Sequence, residues 1–111
     1  MDSRLLWGTV DMLILDVVSR GPTYGYQIAQ SVLSQSKGYF ELKEGSLYPA
    51  LHRMQQKGWL TTDWQNVEGR RRKYYQLTQL GREILGEQAA EWKLFLAQFN
   101  SMLGTNEAWT D

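Results

Sequence analysis

The chain contains no cysteine, which excludes a disulfide framework, a thiolate metal centre and a cysteine nucleophile. It has a single histidine, His52, so metal sites built from several imidazoles are excluded as well. No acid, base and nucleophile converge in the sequence, so no enzyme, metal or cofactor is expected. Long apolar runs are also missing. The most apolar stretch, MDSRLLWGTVDMLILDVV, is interrupted by Asp11 and Asp16. It is too short and too charged to span a membrane and lacks a small-residue cleavage site, so the expected compartment is the cytoplasm. With 111 residues, 42% of them hydrophobic and 22% charged, the composition is that of one small globular unit with a modest core.

Net charge is lacking too, but the zero is a sum of unlike parts. Residues 37–82 carry nine Lys/Arg and four Asp/Glu, a balance of +5. Residues 83–111 carry one Lys and five acids (−4), and residues 1–36 carry two Arg and three Asp (−1). A basic region segregated in this way is the footprint to examine for phosphate binding. Alone it is more often a solvated face.

Apolar spacing predicts a first helix over residues 5–19, through Leu6, Val10, Leu13, Ile14, Val17 and Val18. Gly21-Pro22 stops it, and Thr23 is read as the N-cap of a second helix. That helix buries Ile28, Val32 and Leu33 and ends at Gly38. A third helix opens the stretch EGSLYPALHRMQQKGWL, with Ser46 as N-cap and Pro49 in the first turn. Leu47, Ala50, Leu51, Met54 and Gly58 share one side of it, while Gly45, Pro49, His52, Arg53 and Gln56 share the other.

After Gly58 the period shortens to two. WLTTDW places Leu60, Thr62 and Trp64 on a buried face opposite Thr61 and Asp63. Residues 65–70 supply a turn, and RRKYYQL returns with Lys73, Tyr75 and Leu77 on one side. Thr78 then caps a long helix reaching about residue 103. Three helices, a hairpin and a helix make a mainly α winged helix-turn-helix with a long C-terminal dimerisation helix. Residues 1–78 form the expected DNA-binding part and 79–111 the dimerisation helix and tail, in one structural unit.

In such a fold the second helix of the pair meets base edges in the major groove. The small residues Gly45, Ser46 and Pro49 let its start approach a duplex closely, and its free N–H groups suit a phosphate. Tyr48, His52 and Arg53 offer donors of increasing reach. Lys43 and Lys57 suit phosphates. Arg70, Arg71 and Arg72 at the hairpin tip can follow the backbone or enter the minor groove.

The segments TYGYQIAQ, EGSLYPALHRMQQKGWL and GRRRKYYQLTQLG resemble the PadR family of bacterial transcriptional regulators, over about residues 6–92. The resemblance implies a homodimeric winged-helix repressor acting on an operator in double-stranded DNA, in some members released by a small aromatic effector. It implies that Tyr24 meets the DNA backbone, that Ser46, Tyr48 and His52 lie on the recognition helix, and that Arg70 and Arg71 belong to the wing. One helix after the wing is similar to the short subfamily. In drug-sensing members of that subfamily a tryptophan at the position of Trp92 lines a pocket at the dimer interface.

On the wheel of the last helix, Leu85, Phe95, Leu96, Phe99 and Leu103 fall within about 60° of Trp92. The seven-residue spacing of Leu85, Trp92 and Phe99 is that of a coiled-coil seam. A helix so long outreaches the small body before it, so a two-fold partner is expected to cover the stripe, joined by Leu6 and Trp7 of the first helix. Two recognition helices about 34 Å apart would then read an imperfect palindrome. A winged helix can instead dock a partner protein without specific DNA binding. Binding to DNA that weakens steeply with salt separates the two readings.

Overall fold

Among the described residues, four α-helices and a three-stranded sheet follow one another along the chain. The computed structural model describes residues 3–104, with side chains from Gly8 onward. Leu6 and Trp7, expected at the dimer seam, therefore lie outside the described side chains. Helix α1 (Ser3–Val18) packs against α2 (Gly25–Gln35), α3 (Glu44–Gln56) and α4 (Gln79–Leu103). Strands β1 (Thr23–Tyr24), β2 (Leu60–Val67) and β3 (Arg70–Leu77) pair antiparallel in the order β1-β3-β2. This is a mainly α winged helix, as the sequence pattern predicts.

The core lies where the apolar stripes meet. Ile14, Leu15 and Val18 of α1 pack with Ile28 and Val32 of α2, with Leu47, Ala50, Leu51 and Met54 of α3, and with Leu60, Tyr75 and Leu77 of the sheet. Full burial of each large apolar side chain contributes roughly 1.5–3 kcal/mol. The α3 stripe alone therefore anchors that helix firmly and leaves Tyr48 and His52 exposed.

Several local expectations change. Thr23 is not a helix cap: it belongs to β1, faces Tyr75 in the sheet, and its hydroxyl donates to Gln27 Oε1 at 2.7 Å. Tyr24 occupies the N-cap position of α2, with no side-chain cap bond. Nor is Ser46 a cap. Helix α3 begins at Glu44 after Lys43, whose carbonyl accepts from the N–H groups of Ser46 and Leu47. Pro49 consequently sits in the second turn, where its missing N–H removes the i→i−4 bond that would reach the Gly45 carbonyl.

Gly58 lies beyond the helix rather than on its stripe. With φ of 79°, it donates to the Gln55 carbonyl while Trp59 donates to Met54, a left-handed C-terminal cap. The hairpin turn is also tighter than its polar composition suggests. Only Glu68 and Gly69 form it, with φ of 53° and 80°, the double positive φ of a type I′ turn whose twist suits paired strands.

Thr78 does cap α4. Its side-chain oxygen accepts from the Gly81 N–H at 3.0 Å, and its hydroxyl donates to the Gly58 carbonyl at 2.6 Å. Gly81 has no room for a side chain, since a Cβ there would lie 2.2 Å from the Trp59 carbonyl oxygen. Ile84 and Leu85 are partly buried and pack against the core. Beyond them the 25-residue helix, about 38 Å long, leaves the body. The molecule extends 61 × 27 × 23 Å with a radius of gyration of 16.5 Å, against about 13 Å for a compact domain of this size.

Candidate nucleic-acid interface

The wing hairpin, the start of α2 and the middle of α3 enclose a groove. Tyr24, Gly25 and Tyr26 line it from α2 and its N-cap, Tyr48 from α3, and Trp64 with Arg70 to Lys73 and Tyr75 from the hairpin. Five of the residues expected at DNA, namely Tyr24, Tyr48, Arg70, Arg71 and Arg72, thus meet in one place although the sequence separates them widely. Tyr48 reaches the groove because position 25 is glycine. A Cβ there would lie 2.6 Å from the Tyr48 hydroxyl oxygen and 2.8 Å from its ring.

Aromatic rings hold the cations in the groove. The Arg72 guanidinium lies 4.0 Å from the centroid of the Tyr24 ring, which meets Tyr74 edge-on at 5.5 Å. Hydrogen bonding to the Tyr74 side chain is the main influence raising the Arg72 pKa above its usual value. Arg71 lies 4.8 Å from the Trp64 ring, and Lys73 lies 6.0 Å from Trp64 and 5.5 Å from Tyr75. Burial, with the nearby Tyr48 as a lesser cause, pushes the Tyr75 phenol up from its ordinary value, so this ring stays neutral at the base of a basic groove.

The remaining candidates occupy other parts of α3. Lys43 and His52 are exposed, His52 one turn beyond Tyr48. Ser46 and Arg53 line a separate cleft on the α1 side with Val10, Asp11, Gly45, Pro49 and Ala50. There Arg53 Nη2 donates to Asp11 Oδ1 at 2.5 Å, so the arginine is engaged within the chain. Sequence reasoning left Gly25, Tyr26, Trp64 and Lys73 out of the site. For Lys73 the signal was its place in the Arg-Arg-Arg-Lys run, and for Trp64 the alternation that puts both residues on one hairpin face.

Along α4, Trp92 meets Phe95 edge-on at 5.7 Å and Phe95 stacks on Phe99 at 5.8 Å. Trp92 and Phe95 are half-buried, whereas Leu96, Phe99 and Leu103 are exposed. Among the described residues no helix is long and apolar enough to cross a membrane, and no cluster of His, Cys, Asp or Glu could hold a metal ion.

Residues 14–87 match the sequence model of the transcriptional regulator PadR-like family. The chain is 32% identical over 78 residues to a transcriptional regulator of Mycobacterium tuberculosis, a match covering 70% of each. Its fold is similar to that of a PadR family transcription regulator from Clostridium difficile, with a TM-score of 0.76 and 36% identity over 86% of this chain and 99% of that one. A transcriptional regulator from Clostridium thermocellum is similar with a TM-score of 0.80 and 28% identity, over 88% and 96% of the two chains.

Proposed function

The chain belongs to the PadR-like family of transcriptional regulators, and on that premise we propose that it is a homodimeric repressor of a palindromic operator. Family membership makes it a DNA-binding regulator. The observation that carries the finer reading is the groove uniting Tyr24, Tyr48 and Arg70 to Arg72. A phosphodiester strand running through it would meet cations on the wing side and the exposed face of α3 on the other. Tyr48 and His52 then read base edges, while Lys43, Arg70, Arg71 and Arg72 neutralise phosphates. Ser46 sits in the first turn, where only a small side chain lets the helix start approach the duplex.

The outer half of α4 supports the dimer. Phe99 and Leu96 are 48% and 47% exposed, and leaving such side chains wet forfeits roughly 1.5–3 kcal/mol each when fully counted. A second copy of α4 covers them, and the ladder of Trp92, Phe95 and Phe99 lines a seam that admits a planar aromatic effector. Such an effector changes the spacing of the two recognition helices and so the affinity for DNA.

The test is a mobility shift on the DNA adjoining the protein's own gene, repeated over a range of salt. Steep loss of binding with salt is expected, with a log–log slope of about −0.9 per phosphate neutralised. Arg70→Ala with Arg71→Ala should weaken binding to all sequences alike and flatten that slope. An unchanged slope in the double variant would remove these residues from the phosphate contacts.

A further inference from the structure

The face of the hairpin that begins in the core ends in the groove. On β2 the residues Leu60, Thr62 and Trp64 lie on it, opposite Leu77, Tyr75 and Lys73 of β3. Leu60 is 2% exposed, Thr62 is half-buried and Trp64 is 52% exposed. The alternation therefore carries an indole out past the last core residue, and among the described residues it lies outside the apolar core cluster. Arg71 and Lys73 stand beside the ring, and all three line the groove that Tyr48 bounds on the α3 side.

We propose that Trp64 is a DNA-contact residue of the wing, its indole packing on a deoxyribose of the strand whose phosphates Arg71 and Lys73 hold. This rests on the DNA-binding reading above and adds to it a contact of a different chemistry. Every backbone phosphate is flanked by a sugar, and the sugar is the apolar part of the backbone. A groove with cations set against an exposed aromatic ring matches that alternation in both charge and polarity. A cation held over an aromatic face is also restrained in position, so it loses less freedom on meeting a phosphate. The indole thus serves twice, as an apolar surface for the sugar and as a rest for the cations.

An apolar contact releases no counterions, so its loss differs from the loss of a phosphate contact. The experiment measures affinity of the full chain for a random-sequence duplex at several salt concentrations, for wild type, Trp64→Phe and Trp64→Ala. Trp64→Ala should bind about tenfold more weakly with the salt slope kept, and Trp64→Phe should recover most of the loss. Wild-type binding matched by Trp64→Ala overturns the contact. So does an affinity loss accompanied by a slope shallower by about 0.9 or more, since the ring would then only hold Arg71 and Lys73. A wild-type chain that binds no duplex at low salt overturns the DNA-binding reading, and this contact with it. Independently of any substitution, the protein labelled with 5-fluorotryptophan should show a saturable shift of the Trp64 fluorine resonance on adding duplex. That resonance is assigned by its absence in Trp64→Phe, and a resonance that does not move overturns the contact.

Discussion

Arg53 of α3 donates to Asp11 of α1 across 42 residues of sequence, which ties α3 to the helix that underlies it. The Asp11 side chain is mostly buried and that of Arg53 about half exposed. Removing the arginine leaves a carboxylate with little access to water. Arg53→Met should therefore destabilise the chain by about 1–2 kcal/mol, less than for a fully buried pair because solvent screens the exposed side. Asp11→Asn with Arg53→Met should be no worse than Arg53→Met alone, which urea denaturation of the three variants will check.

Gly25 sets the direction of Tyr48. In Gly25→Ala the new methyl group displaces the tyrosine ring, which is 46% exposed and can swing into solvent. The fold should survive, since alanine suits a helix better than glycine. Operator affinity should fall by roughly 1–3 kcal/mol, as for a lost base contact. Paired melting and binding measurements check the split, and a loss of stability equal to the loss of affinity would contradict it.

Two glycines of α4 should respond in opposite directions to alanine. At Gly81 the Cβ meets the Trp59 carbonyl and the Leu77 side chain, whereas at Gly86 nothing lies within 4 Å. Gly81→Ala should cost about 1–3 kcal/mol through overpacking. Gly86→Ala should stabilise by about 0.5–1 kcal/mol, because it removes conformational freedom from the unfolded chain. Thermal melts at one protein concentration distinguish them.

The Tyr75 phenol, raised by burial, makes stability fall at alkaline pH. Below about pH 10 the phenol is protonated in both folded and unfolded chains and contributes no pH dependence. Above that value the unfolded chain releases its proton while the folded chain still holds it, so stability declines until the folded value is passed. Tyr75→Phe should remove this part of the decline. Denaturation of both proteins between about pH 8 and pH 11 will show the difference.

The order of elements was legible because each rests on a local period or a local stop. The stripe of Leu47, Ala50, Leu51 and Met54 and the Thr78 cap needed nothing beyond neighbouring residues, and both stand as read. Trp64 shows the limit of a period-two pattern: alternation fixes which face a side chain occupies but not whether the body reaches that far. β1 escaped notice because two residues have no period, and Thr23 suits a cap as well as a strand. Its assignment depends on Tyr75, far along the chain. The partnership of Arg53 with Asp11 was hidden for the same reason, and an arginine on a polar helix face reads as free until the packing of α1 is known. Glu68 carries no sign that it will adopt a positive φ; the tight twist of the paired strands imposes it.

The two-residue strand β1 divides the hairpin mechanically. It pairs with β3 at Tyr74 and Tyr75, so the base of the wing is a three-stranded sheet fastened to the core. Among the described residues, from Lys73 to the Glu68-Gly69 turn, β3 has β2 as its one strand neighbour. Two-stranded ribbons twist and bend more readily than wider sheets. The cationic length of the wing is therefore a cantilever whose free span starts at the last pair of β1. Lengthening β1 would stiffen it, and losing β1 would move the pivot down into the core.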